Sequence, residues 1–206
     1  MIKLSVCIPV WNQEELLLKA LDHIPRRDDV EVLVRDDGST DSTLANLIQY
    51  QTEHPELNLQ VFSNHENHGM YYTLNRLLED AQGQFFHCHN SDDYVDSIIY
   101  NDLIDQLNDD IDVLGFDLRV NDGSVWPLRE ETNRIHCAQA IRFIRKAFVE
   151  GITYHEHMKA AADWYYNNDL LKRTPRIVYS GKVVYMYNFP REGSLVDLRA
   201  RGIIGE

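Results

Sequence analysis

Four apolar runs, each of strand length and each followed by a polar break and then a helical pattern, constrain the fold of this chain more than any other feature. The first, Lys3 to Val10, passes through Pro9 into Trp11-Asn12 and a leucine-rich helical stretch from Glu14 to Ile24, with Asn12 as the expected helix cap. The second, Val30 to Val34, breaks at Arg35-Asp36-Asp37-Gly38-Ser39-Thr40-Asp41. Thr40, Asp41 or Ser42 is expected to cap a helix running to about Tyr50. The third, Leu57 to Ser63, leads through Asn64-His65-Glu66-Asn67-His68-Gly69 to a helix over Tyr72 to Ala81, closed by Gly83. The fourth starts at Gln84-Phe85-Phe86-His87-Cys88 and stops at Asn90-Ser91-Asp92-Asp93. Such alternation predicts an α/β fold with a mostly parallel central sheet flanked by helices.

The pattern changes after Asp96, the expected cap of a helix over Ser97 to Leu107. Asp112 to Val120 and Val125 to Leu128 read as a hairpin closed by Asn121-Asp122-Gly123-Ser124. A helix is expected from about Ala138 to Val149, an irregular stretch over Ile152 to Met158, and a further helix from Ala160 to Leu171 with Asp163 near its start. Ile177 to Tyr187 supplies one or two strands, so a small antiparallel part closes the fold, and Asn188 to Glu206 is expected to be a mobile tail.

With 206 residues the expectation is one domain, read in two parts, residues 1–95 and 96–206. No run is long enough to cross a bilayer, and Lys3 and Pro9 interrupt the first one, which excludes a signal peptide reading. Cys7, Cys88 and Cys137 are an odd set without close spacing, which points to reduced thiols and a cytoplasmic setting, the first two buried on strands. The net charge of −13 is uneven: residues 1–118 hold 6 Lys+Arg against 23 Asp+Glu, whereas residues 119–206 hold 14 against 10. An acidic half suits a cation and a mildly basic half suits an anionic partner; charge kept for solubility is the other reading of most of these residues.

Acids at the carboxyl end of a strand stand where open α/β sheets bind ligands, so Asp92 and Asp93 suit a divalent cation against a diphosphate; a solvated turn is the alternative. Asp37 is placed either to accept from a pyrimidine imide or to form an Asx-turn. Trp11 is either core or a stacking platform for a base. His87 and His89 share one strand face and His155 and His157 flank Glu156, yet neither run has His-Glu-x-x-His spacing and no cysteine pair completes a zinc site.

Leu4-Ser5-Val6-Cys7-Ile8-Pro9-Val10-Trp11-Asn12, the run Asp36-Asp37-Gly38-Ser39-Thr40-Asp41, Glu66-Asn67-His68-Gly69 with Leu74-Asn75, and Asn90-Ser91-Asp92-Asp93 occur in the order and spacing of one family. The chain resembles the inverting family 2 glycosyltransferases of the GT-A fold. Further echoes are Ala162-Asp163-Trp164 and Gly193-Ser194-Leu195. The resemblance implies a nucleotide pocket lined by Pro9 and Trp11, Asp37 accepting from uracil or another base, Asp92 at the ribose and beside the cation, and Asp93 ligating Mn²⁺ or Mg²⁺. It makes Asp163 the general base. His155, His157 and Trp164 are the acceptor-binding candidates.

Three residues depart from the family pattern: Asn90 for its first Asp, Leu74 for an Arg, and Ala162 for a Glu. The activity implied is transfer from a nucleotide-diphosphate sugar, a UDP-sugar first, to a hydroxyl of a glycan, a lipid-linked glycan or a modified DNA base. Arg142, Arg145, Lys146, Lys172, Arg173 and Arg176 are the residues expected to face a phosphate-bearing acceptor, although overall acidity argues against DNA. A non-catalytic nucleotide-sugar binding module and a nucleotidyltransferase are the competing readings, the latter without a Gly-rich basic loop.

Overall fold

The computed structural model describes residues 1–130, 139–158, 162–189 and 191–192. Each of the four apolar runs forms a strand: β1 (Leu4–Val10), β2 (Val30–Asp36), β3 (Leu59–Ser63) and β4 (Phe85–Cys88). They pair in parallel in the order β3-β2-β1-β4. The inner strands β1, β2 and β4 are buried on both faces, which is why their sequences lack alternation, whereas β3 at the sheet edge is mostly half-buried. The intervening helices are α1 (Leu16–Asp22), α2 (Thr43–Glu53) and α3 (Met70–Asp80). Leu17 and Leu21 of α1, Leu47 of α2, and Leu74 and Leu77 of α3 are fully or almost fully buried, the one-sided apolar stripe that packs a helix on a sheet.

The same sheet continues through the later residues. After β5 (Tyr94–Val95) and α4 (Ser97–Gln106) come β6 (Val113–Val120), β7 (Val125–Trp126), β8 (Arg142–Arg145), α5 (Ala162–Lys172) and β9 (Ile177–Tyr187). The full order is β3-β2-β1-β4-β8-β6-β9-β5, with β7 paired to β6. β8 runs antiparallel to both β4 and β6, so β6 returns to the direction of β4, and β9 pairs with β6 in parallel. β5 closes the edge antiparallel to β9.

Two expectations about local structure are corrected. The helix expected over 138–149 is instead β8 followed by a single 3₁₀ turn, Lys146–Val149. Ile141, Phe143 and Ile144 lie between two strands and are buried on both faces, a setting that favours β-branched and aromatic side chains over helical periodicity. Asn12 does not cap α1: its φ is +50°, and its side chain reaches across to Thr40, accepting from the backbone N–H at 2.9 Å and donating to the hydroxyl at 3.3 Å. The cap expected at Asp96 is present, its carboxylate accepting from the Ile98 and Ile99 N–H groups at 3.1 Å each. Cys7 and Cys88 are buried free thiols on β1 and β4, as expected; Cys137, the first residues of the expected helix over 160–171 and most of the expected mobile tail lie outside the described residues.

Among the described residues no helix is long and apolar enough to cross a membrane. A cavity of about 690 Å³ opens at the amino end of β4, between α3 and the 3₁₀ turn, lined in part by Leu78, Gln84, Phe86 and Ile152. The acids stand at the other end of β4, so this cavity is separate from the strand-end site.

Candidate active site

The carboxyl ends of β1, β2 and β4 lie side by side in the sheet. They bring together Pro9 with Trp11, Asp36 with Asp37, and Asn90 with Asp92 and Asp93. Pro9 is half-buried and Trp11 is 47% exposed at the mouth of β1, so Trp11 presents a face to solvent instead of filling core.

Asp37 is engaged within the protein. Its Oδ1 accepts from the Asn64 side-chain amide at 2.8 Å and from the His68 N–H at 3.0 Å, and its Oδ2 accepts from the Gly69 N–H at 2.8 Å. Gly69 has φ +94°, so the carboxylate clamps a turn that an L side chain would strain, and α3 starts at the next residue. Gly38 is fixed just as tightly: its φ is +68°, and a Cβ there would sit 2.6 Å from the Glu66 carbonyl carbon. Asp36 differs from its neighbour. It is 1% exposed, its Oδ2 accepts from the Ser39 N–H at 3.1 Å, and its Oδ1 has no partner among the described residues. Sequence reasoning chose Asp37 for the base contact and passed over Asp36, although the pair is adjacent; which of two neighbouring acids turns into a loop is decided by that loop's N–H groups.

Asp92 and Asp93 also part company. Asp93 is 1% exposed, and its oxygens accept from the Tyr185 hydroxyl at 2.7 Å, the Asn90 amide at 2.8 Å and the Asn188 N–H at 2.8 Å. Burial, and then the negative charge of Asp92, push its carboxyl up to about 6 against those three donors. Asp93, the expected cation ligand, is thus already engaged within the protein, its lone pairs holding β9 and the following turn to the end of β4. Asn90, in the family's first acid position, is one of the donors and acts on Asp93. The accessible acid is Asp92, whose side chain is 22% exposed and whose Oδ2 pairs with Arg191 Nη2 at 2.7 Å and Nε at 3.2 Å.

A hard divalent ion needs few protein ligands when diphosphate oxygens supply the rest. Asp92 meets that need. It is an oxygen donor at a strand end, and a guanidinium already rests on it as a cationic stand-in. Among the described residues there is no cluster of three or more His, Cys, Asp or Glu able to hold a metal by itself. His87 and His89 are fully buried: His87 lies between the Tyr100 hydroxyl and the Ala140 carbonyl, each at 2.7 Å, and His89 meets the Asn90 carbonyl at 2.6 Å.

Asp163 stands in the first turn of α5, half-buried. Burial raises its carboxyl above the ordinary range; the Trp164 N–H, its own N–H, the charge of Arg142 on β8 and the hydroxyl of Tyr71 on α3 act in the opposite direction. Beside it is a patch of exposed rings. Trp164 is 46% and Tyr165 43% exposed, their centroids 5.0 Å apart; His155 stacks on Tyr165 at 5.5 Å and lies 5.8 Å from the exposed His157. Tyr165 was missed in the sequence because its place in the patch depends on a partner ten residues earlier.

The basic residues expected to meet a phosphate-bearing acceptor are engaged elsewhere. Arg142 is buried and donates to the Asn167 side chain, Arg145 and Arg176 both bind Asp112, and Lys146 donates to the Ala81 carbonyl. Arg173 spans the Phe148 and Glu150 carbonyls at 2.8 Å each, and Lys172 pairs with Asp169 at 2.7 Å. Apart from Lys172, whose pair lies within α5 and whose side chain is exposed, they tie β8 and the ends of α5 and β9 to neighbouring elements, a role that only the tertiary partners reveal.

Known proteins with this arrangement bear out the expected fold. The chain is 27% identical over 94% of its length to a poly(ribitol-phosphate) beta-N-acetylglucosaminyltransferase, TarS, of Staphylococcus aureus, and 28% identical over 93% to a poly(ribitol-phosphate) beta-glucosyltransferase of Bacillus spizizenii. It spans only 36% and 33% of those two proteins. The crystal structure of TarS residues 1–349 with UDP-GlcNAc superposes with a TM-score of 0.78 at 26% identity, over 94% of this chain and 60% of that one. A mannosyltransferase of Pyrobaculum calidifontis with GDP-Man and Mn²⁺ gives 0.73 at 20% identity, over 99% and 65%, a likeness of fold. The family model described as Glycosyl transferase family 2 matches residues 5–174, which takes in every strand-end acid described above together with Asp163: the chain belongs to that family.

Proposed function

We propose that this chain transfers a sugar, with inversion, from a UDP-sugar to a hydroxyl of a glycan or polyol-phosphate polymer, with Asp163 as general base. The observation that carries this reading is the environment of Asp163: a half-buried carboxylate in the first turn of α5, beside the exposed rings of Trp164 and Tyr165. Exposed aromatic faces suit the apolar face of a sugar ring, and a carboxylate there takes the proton of the acceptor hydroxyl as its oxygen bonds to the anomeric carbon. The bond from that carbon to the diphosphate breaks, and the nucleoside diphosphate leaves with the electron pair.

In this reading Trp11 and Pro9 border the nucleotide, and the unpartnered Oδ1 of Asp36 is a better acceptor for a uracil imide N–H than Asp37, whose oxygens are taken. Asp92 holds the cation and Asp93 holds the loop that carries Asp92. When bound at Asp92, Mn²⁺ or Mg²⁺ supplies electrostatic stabilisation of the departing diphosphate. His155 and His157 extend the acceptor side of the ring patch. The activities for which the relatives are named make UDP-GlcNAc and UDP-glucose the first donors to try, and poly(ribitol phosphate) the first acceptor. A DNA acceptor is disfavoured by a net charge of −13 and by the engagement of the later arginines.

The test is UDP release and anomeric configuration of product, with UDP-GlcNAc or UDP-glucose, poly(ribitol phosphate) or simple glycans, and Mn²⁺ against EDTA. Asp163→Asn is expected to lower kcat by about 10²–10⁴-fold while donor affinity survives. Donor binding without turnover on any acceptor, unaltered by Asp163→Asn, would instead identify a non-catalytic nucleotide-sugar binding module.

A further inference from the structure

We infer that the cavity at the amino end of β4 is a second ligand site, built for a small uncharged amphipathic molecule whose carbonyl oxygen accepts from the Tyr166 hydroxyl. The inference is independent of the reading of Asp163 as a base, because it concerns the sheet end opposite the acids. At about 690 Å³ the cavity falls in the range of about 300–1,000 Å³ over which small-molecule sites occur.

Hydrogen bonds on three sides hold its walls in place. On the first side α3 contributes Leu78, and Asn75 ties that helix to the segment beyond the 3₁₀ turn. Asn75 donates to the Tyr154 carbonyl and accepts from the Tyr154 N–H, each at 2.9 Å. On the second side β4 contributes Phe86, and Lys146 joins the entry to that strand to the 3₁₀ turn. The Lys146 N–H donates to the Gln84 carbonyl at 2.8 Å, and its ammonium donates to the Ala81 carbonyl. The third side, Val149 to Ile152, is drawn into a turn by the Ile152 N–H on the Val149 carbonyl at 2.9 Å. Arg173, just past α5, braces it by donating to the Phe148 and Glu150 carbonyls at 2.8 Å each. A gap among apolar side chains forfeits packing contacts and tends to close by repacking; backbone bonds on three sides oppose that collapse and leave a pre-formed site.

The chemistry of the walls selects the class of ligand. Tyr166 of α5 also lines the cavity; it is fully buried, and its ring stacks on Tyr154 with centroids 4.1 Å apart and planes 11° apart. Its hydroxyl has no hydrogen-bond partner among the described residues, whereas buried phenols ordinarily find one. A carbonyl oxygen on a bound molecule supplies that acceptor, and Leu78, Phe86, Val149 and Ile152 take up an apolar body. Charge narrows the class further. The wall cations are engaged, Arg145 by Asp112 and Lys146 by the Ala81 carbonyl, while Asp109 and Glu150 are exposed and Glu79 is paired with Arg76. A carboxylate or phosphate would therefore enter past an excess of acid. An ammonium would leave water beside Arg145 and Lys146, with the buried Asp112 already shared by Arg145 and Arg176. An uncharged acceptor meets neither cost. Tyr166 lies one turn after Asp163, so a molecule in the cavity touches the helix that carries this acid and leaves the strand-end site open.

The test compares phenylbutanamide, phenylbutanoate and phenylbutylamine, which share one body and differ in head group. Each is titrated into the nitrogen-15-labelled protein, with binding followed by the backbone amide signals. Phenylbutanamide is expected to saturate with shifts centred on Leu78, Ile152 and Tyr166, and to do so equally in saturating UDP. Phenylbutanoate and phenylbutylamine should bind about tenfold more weakly, a cost of the size expected for desolvating a charge against only partial compensation. Tyr166→Phe keeps the ring and its stack and should weaken phenylbutanamide by about three- to tenfold, the worth of one hydrogen bond. Ile152→Trp fills the cavity from a half-buried position and should abolish binding, with an otherwise wild-type spectrum as the check on folding. No saturable binding of phenylbutanamide, displacement by UDP, or a charged probe binding as tightly would overturn the inference. Unchanged affinity in Tyr166→Phe would do the same, and none of these readouts depends on glycosyl transfer.

Discussion

Asp92 and Asp93 are consecutive residues with opposite duties: Asp93 points inward to the Tyr185 hydroxyl at 2.7 Å, whereas Asp92 points outward to Arg191 at 2.7 Å. Substitution should separate them. Asp93→Ala leaves the donors of Tyr185, Asn90 and Asn188 without an acceptor and should cost about 1–3 kcal/mol in urea unfolding. Asp92→Ala removes a partly exposed ion pair and should change stability by under about 1 kcal/mol. It should nevertheless abolish the Mn²⁺-dependent part of UDP-GlcNAc binding measured by calorimetry. The reverse pattern would return the cation to Asp93.

The same contrast applies to Asp36 and Asp37. Asp37→Asn replaces one acceptor oxygen by a donor facing an N–H group, so it should destabilise by about 1–3 kcal/mol. Amide hydrogen exchange should quicken at His68 and Gly69, where the clamp is lost. Asp36→Asn should leave that exchange alone and weaken UDP affinity by about tenfold, the worth of one charge-assisted hydrogen bond. Equal exchange in both variants would remove the distinction.

The repeating first half was legible in the sequence because its signals agree: continuous apolar runs for buried parallel strands, one-sided leucines for the helices, and Asp96 before an apolar run for a cap. β8 was not, since Ile141, Phe143 and Ile144 among basic residues fit a helix face as well as a strand, and only insertion between β4 and β6 decides. In the site, the positions of the acids could be read but their orientations could not. Whether Asp37 or Asp36, Asp93 or Asp92, keeps a free oxygen depends on N–H and O–H donors up to 95 residues away. The arginines misled for a similar reason: a cationic cluster in the chain looks alike whether it awaits a phosphate or already holds Asp112.

That carboxylate is itself a test. Asp112 is almost fully buried, and hydrogen bonds from Arg176, then Arg145, hold its carboxyl far below the usual range. A lowered folded-state pKa contributes stability that is present above the unfolded value of 3.8 and is lost as pH falls below it. Asp112→Ala should cost about 3 kcal/mol at pH 7, the low end for a buried pair because both arginines reach solvent. The variant should also lack the wild-type loss of stability below about pH 4. A variant as stable as wild type at pH 7 would show that the clamp contributes nothing.

The two strand histidines give a second pH window with its own cause. His87 is held neutral, its pKa lowered to about 3 by burial and then by His89; His89 is lowered to about 4, first by burial. The neutral ring of His87 satisfies its neighbours, one nitrogen donating to the Ala140 carbonyl and the other accepting from the Tyr100 hydroxyl. Because the unfolded chain takes up these protons near pH 6.5 and the folded chain does not, stability is complete above 6.5 and drains away as pH falls towards 4. The pair should account for several kcal/mol, on the order of 5, of acid destabilisation. His87→Phe suits the ring cluster of Phe116 and Phe143 but strands the Tyr100 hydroxyl and the Ala140 carbonyl. It should be about 1–3 kcal/mol less stable than wild type at pH 7.5, yet lose less stability between pH 6.5 and 4. Thermal unfolding across that range reads both effects, and parallel curves for the two proteins would mean that His87 is not held neutral in the fold.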